Sequence, residues 1–143
     1  MAAVASALGL PLGGCIGFHY VNSTREGNRV LVGRREFGGG GQGGAGAGAA
    51  RFALVDVPGL DLPIYLYHHD DDVFTAVSTR CMHRGCPVEP VAGHLVCPCH
   101  GSEYDNDGRV LKGPTRLPLE RFPVRVEGDV VLIELPTAPG KGA

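Results

Sequence analysis

The feature that most limits what this chain can fold into is one stretch, Cys81 to Tyr104, which reads CMHRGC, a ten-residue spacer, and CPCHGSEY. Four of its residues, Cys81, His83, Cys97 and His100, supply two thiolates and two imidazoles as C-x-H and C-x-x-H. Structural zinc sites usually space their ligands by roughly two to four residues in each half, and C-x-H is tighter than that. A C-x-H turn sends a sulfur and a ring nitrogen to neighbouring positions on one side of a loop. Two such loops suit a dinuclear centre, each giving its Cys to one metal and its His to the other. A zinc site built from the same side chains is the competing reading.

The two halves together resemble the Rieske iron–sulfur proteins, in whose 2Fe-2S cluster two His replace two Cys on one iron. Carried over residue by residue, the resemblance implies that Cys81 and Cys97 bind the buried iron and His83 and His100 the outer one. It further implies a disulfide between Cys86 and Cys99, tying the two loops together as in the high-potential branch of that family. Buried free thiols are the plainer reading of that pair. Ser102 and Tyr104 match hydroxyls that, in that branch, hydrogen-bond a bridging sulfide and a ligand sulfur; a turn or core role is the alternative. Gly113-Pro114, with Pro118 close by, resembles the proline-containing loop that covers the cluster. The resemblance runs from about Arg51 to Leu135 and is firmest from Cys81 through Tyr104.

The fold implied is all-β: an antiparallel sandwich or barrel-like base carrying a small cluster-binding insertion over residues 80–118. The wider sequence agrees. Short runs of Val, Ile and Leu lie between turns supplied by 23 Gly and 11 Pro, and no long helical pattern interrupts them. A length of 143 residues fits one domain, 28–136, plus an appendage. With a net charge of −2 and no basic cluster, nothing recommends nucleic acid as a partner. Of five cysteines, two ligands and a bridge leave Cys15 over. A disulfide also places the head in an oxidising compartment.

Met1 to Phe18 has no charged residue and is rich in Ala, Leu and Gly. It reads as a membrane anchor within residues 1–21, near the lower length limit for a span. An export signal, a lipoprotein segment cleaved before Cys15, or an apolar segment packed on the head or a neighbouring subunit are the alternatives. Arg34-Arg35-Glu36-Phe37 is superficially similar to a twin-arginine motif, but no apolar run follows. It reads instead as the end of a strand, Asn28 to Phe37. Residues 38–50, almost wholly Gly and Ala, read as a flexible loop or a hinge. Arg51 to Val57, Ile64 to His68 and Val73 to Ser78 read as strands. Arg121 to Val126 and Val130 to Leu135 form a closing hairpin, and 137–143 is a frayed tail. His68 and His69, adjacent on a strand, point to opposite faces and cannot easily share an ion. They read as surface residues, and His94 as a bystander.

Function follows from the resemblance. Imidazole ligation raises the cluster potential, and a ring bound to oxidised iron gives up its proton more readily than one bound to reduced iron. A site that takes an electron and a proton together suits hydroquinone. The resemblance implies the Rieske subunit of a cytochrome bc-type quinol oxidoreductase, with His100, or His83 beside it, taking the proton. Its partners are b-type and c-type cytochrome subunits, and its head lies on the periplasmic, oxidising side of a membrane. The alternative is a soluble Rieske ferredoxin or the small subunit of another oxidoreductase, such as arsenite oxidase. Arg84 favours it, because His-Arg-Gly looks like the Rieske oxygenases. Cys86, Cys99, Ser102 and Tyr104 favour the quinol branch.

Overall fold

The computed structural model describes residues 20–38, 51–69, 72–91 and 93–137. In chain order come β1 (Tyr20–Asn22), β2 (Thr24–Glu26), β3 (Arg29–Gly33), a helical turn α1 (Arg35–Gly38), β4 (Phe52–Asp56), β5 (Ile64–His68) and β6 (Phe74–Ser78). Then follow β7 (Glu89–Val91), β8 (His94–Val96), β9 (Glu103–Tyr104), β10 (Val110–Lys112), β11 (Arg121–Phe122), β12 (Val124–Glu127) and β13 (Val130–Glu134).

These strands make three sheets: β1-β4-β5-β6-β11, β12-β13-β3-β2, and the small β10-β9-β8-β7. All strand pairs are antiparallel except β1 with β4. The β4-β5-β6 meander is apolar on both faces because both faces are covered. Ala53, Val55, Ile64, Leu66 and Ala76 point one way, into a core shared with Val30, Val32, Val131 and Ile133 of the second sheet. Leu54, Tyr65 and Val77 point the other way, into a second core with Val88, Leu95, Cys97, Tyr104 and Leu119. The sandwich and the cluster-binding insertion therefore share one central sheet. This is the all-β architecture the sequence implies.

Four readings change. The head takes in residues before Asn28: β1 pairs with β4 and β2 with β3. The strand expected from Asn28 to Phe37 stops at Gly33, and the chain turns through α1 so that Phe37 enters the core and packs edge-on against Phe74 at 5.3 Å. The closing hairpin is divided by Pro123, which has no N–H for a ladder. Residues 121–122 pair with β6, and 124–127 pair with β13. His68 is half-buried rather than a surface residue; its ring stacks on Phe74 at 4.4 Å.

The anchor expected over 1–21 lies outside the described residues, apart from Tyr20 and Val21 in β1. The Gly/Ala loop of 38–50 lies outside them beyond Gly38, as does the tail of 137–143 beyond Thr137. Among the described residues no helix is long and apolar enough to cross a membrane.

Leu66 is fully buried at the centre of the shared sheet. Leu66→Ala should lower unfolding stability by about 2–5 kcal/mol in a guanidinium titration, because the packed sheets collapse little around the void.

Candidate metal centre

Two loops of the small sheet are built on the same plan. In the first, the Gly85 N–H donates to the Cys81 carbonyl at 2.8 Å, and the Cys81 N–H donates to the Cys86 carbonyl at 2.8 Å. In the second, the Gly101 N–H donates to the Cys97 carbonyl at 2.9 Å, and the Cys97 N–H donates to the Ser102 carbonyl at 2.8 Å. Each loop is thus a tight turn closed on its own cysteine. Gly85 and Gly101 both have φ of +80°, a conformation that a side chain resists.

This plan turns the cysteines inward and the histidines outward. Cys81 and Cys97 are 2% and 1% exposed, while His83 and His100 are open to solvent with ring centroids 4.8 Å apart. A disulfide joins Cys86 to Cys99, with Cα atoms 6.5 Å apart, and so ties the first loop to the second. The sulfurs of Cys86, Cys97 and Cys99 lie within 4.8 Å of one another. The two bridged sulfurs have no thiolate to offer, so among the described residues Cys81 and Cys97 are the thiols available to a metal.

Tyr104 is fully buried, and its hydroxyl lies 3.2 Å from Cys81 Sγ; it also accepts the Met82 N–H at 3.3 Å. Ser102 is fully buried too, and its Oγ accepts the Thr115 N–H at 3.2 Å. That bond fastens the loop containing the cis Gly113–Pro114 peptide beside the second cysteine turn. Sequence reasoning picked out this loop by its prolines and missed Thr115, which no spacing or composition signal marks.

Burial pushes both thiols up. At Cys81, hydrogen bonds from the Tyr104 hydroxyl, the His83 N–H, Cys97 and Ser102 outweigh it, and the group ends below an ordinary thiol. At Cys97, burial and the neighbouring Cys81 prevail over the Cys99 and His100 N–H groups, and the group ends above one. Burial, then the bond to Cys81, raises Tyr104, so its hydroxyl stays protonated and able to donate. Two buried sulfurs, one already inclined to thiolate, and two exposed imidazoles fit a dinuclear iron–sulfur group of mixed ligation. His68 and His69 are elsewhere: His69 Nε2 lies 2.8 Å from Thr75 Oγ1. His94 lies 3.6 Å from Glu103.

The disulfide closes 13 residues of sequence. Replacing both partners, Cys86→Ser with Cys99→Ser, should cost about 3 kcal/mol. Warming the holoprotein should bleach its visible absorption at a lower temperature than in the wild type.

The family model for the Rieske 2Fe-2S domain matches residues 49–123, just over half of the chain. The cytochrome b6-f complex iron-sulfur subunit of Chlorobaculum tepidum is 35% identical over 89 residues, 56% of this chain and 49% of that protein. The subunit of the same name from Prochlorococcus marinus is 40% identical over 75 residues, 50% of this chain and 42% of that protein. The chain therefore spans half or less of these relatives' own length. Among solved structures, the plasma membrane Rieske protein of the cyanobacterium Synechocystis superposes with a TM-score of 0.52 at 31% identity, covering 59% of this chain and 86% of that one. The chain belongs to the Rieske 2Fe-2S domain family, and its cofactor is a Rieske-type 2Fe-2S cluster.

Proposed function

We propose that the chain oxidises hydroquinone, taking an electron together with a proton and passing the electron to a c-type cytochrome within a cytochrome bc-type complex. The observation that carries the reading is the buried Tyr104 hydroxyl set against Cys81 Sγ, with Ser102 buried beside it. The relatives named as subunits of the cytochrome b6-f complex support the same assembly.

In this reading Cys81, Cys97, His83 and His100 would hold the cluster, the two thiolates on one iron and the two imidazoles on the other. The bound cluster supplies a one-electron acceptor whose potential imidazole ligation raises. Tyr104 and Ser102 donate hydrogen bonds toward the sulfur atoms, which favours the form carrying the extra electron. His83 and His100 stand in solvent, so the ring nitrogen not used for ligation is free to meet a substrate. His100, or His83 beside it, accepts a hydrogen bond from the quinol hydroxyl and takes its proton. The buried thiols and the Gly113–Pro118 loop keep water from the sulfur side. The disulfide supports a head that works in an oxidising compartment, on the outer side of its membrane complex.

Tyr104→Phe and Ser102→Ala each remove a donor of about 1 kcal/mol, which for a one-electron couple is roughly 40 mV. Each variant should lower the midpoint potential by that order and slow quinol oxidation, with the double variant lower still. Unchanged potentials would remove both hydroxyls from the mechanism. Normal potentials with no oxidation of a benzoquinol or naphthoquinol by the assembled complex would move the chain to a ferredoxin-like carrier.

A further inference from the structure

We infer that the cluster-bearing face docks its redox partner through an acidic surface of that partner. The inference deepens the electron-transfer reading and rests on it. Three loops form this face: Cys81 to Val88, Cys97 to Ser102, and Leu111 to Pro118. Between them they hold three of the chain's thirteen Lys and Arg residues, Arg84, Lys112 and Arg116, and none of its fifteen Asp and Glu residues. In a chain of net charge −2 these loops themselves therefore carry a net positive charge, with Glu89 and Glu103 lying one residue beyond the first two.

Placement strengthens the pattern. Arg84 is exposed and adjoins His83. Arg116 is exposed and adjoins Thr115, whose N–H is fastened to Ser102 beside the second turn. Among the described residues neither arginine pairs with a carboxylate, so both charges are open to a partner. The nearby Glu103 lies 3.6 Å from Lys112, so those two charges offset each other and the open charges of the face are those of Arg84 and Arg116. Arg80, just before the first loop, lies 3.5 Å from Asp61.

The same loops also expose apolar side chains. Met82, Leu111 and Leu117 are 42%, 58% and 56% exposed, and each belongs to one of the same loops. Exposed apolar side chains together with charge of one sign suit a transient interface, in which the charges steer encounter. Unpaired guanidinium groups at the rim select a partner whose redox group is ringed by carboxylates.

The test is stopped-flow oxidation of the reduced holoprotein by two inorganic probes, trianionic ferricyanide and tricationic tris(phenanthroline)cobalt, over a range of ionic strength. Raising salt from about 0.01 M to above 0.1 M shrinks the screening length from roughly 30 Å to under ~10 Å. The ferricyanide rate should then fall at least ~3-fold and the cobalt rate should rise, opposite to what the net charge alone dictates. Arg84→Gln with Arg116→Gln should flatten both slopes, and Arg84→Lys with Arg116→Lys should keep them. An acidic c-type cytochrome should react faster at low salt than a basic one of matched potential. A ferricyanide rate that rises with salt, flat slopes, an unaffected Gln variant, or equal rates with the two cytochromes would overturn the inference. Absence of a Rieske electron paramagnetic resonance signal would instead remove the reading beneath it.

Discussion

Two sulfurs must be kept from water while two imidazole rings remain in it, and the rest of the structure depends on how that is done. Each cluster loop closes on its own cysteine by two backbone hydrogen bonds, Gly85 and Cys86 serving Cys81, Gly101 and Ser102 serving Cys97. The backbone polar groups of the buried cysteines are thereby spent inside the turn. Their sulfurs can enter the apolar layer of Val88, Leu95 and Leu119 without orphaning an amide. The histidines, two and three residues along, come out on the other side. The disulfide then fixes one turn against the other.

The layer that receives the sulfurs is also the outer face of the β4-β5-β6 meander, whose inner face makes the sandwich core. Tyr65 shows how closely the two parts are joined. Its ring is buried in the shared layer, and its hydroxyl donates to Asn106 Oδ1 at 2.8 Å. Asn106 belongs to the Asp105–Gly108 turn that follows Tyr104. In that turn Gly108, at φ +81°, lies where a Cβ would come within 3.1 Å of both Leu119 and Val77. The base thus holds Tyr104 in place through the turn beyond it, and Tyr104 holds Cys81.

The metal centre was more legible in the sequence than the fold around it, for physical reasons. Ligand chemistry is local: Cys81, His83, Cys97 and His100 stand out as candidate ligands by type and spacing. The disulfide between Cys86 and Cys99 came from family resemblance, since two thiols in separate loops do not by themselves state that they meet. The meander was readable because its runs of apolar residues are separated in the sequence by Pro58-Gly59 and by three consecutive aspartates, Asp70 to Asp72. β1 was not, because three residues beside an apolar segment become a strand only through a distant partner, β4. Phe37 was placed on a strand because its neighbours alternate, whereas core packing against Phe74 favours the helical turn. Thr115 was invisible because its role lies in a backbone N–H, which every residue but proline possesses. The half-burial of His68 similarly depends on Phe74, which approaches it from the next strand.

In the proposed reading, electron uptake at this centre is coupled to a proton on the exposed His83 or His100. Redox titration of the purified holoprotein, followed by electron paramagnetic resonance at several pH values, tests it most directly. A Rieske signal at high potential should appear, with a midpoint that falls as pH rises by up to about 59 mV per pH unit for one proton per electron. A low midpoint that stays level with pH would contradict it and leave a simple electron carrier.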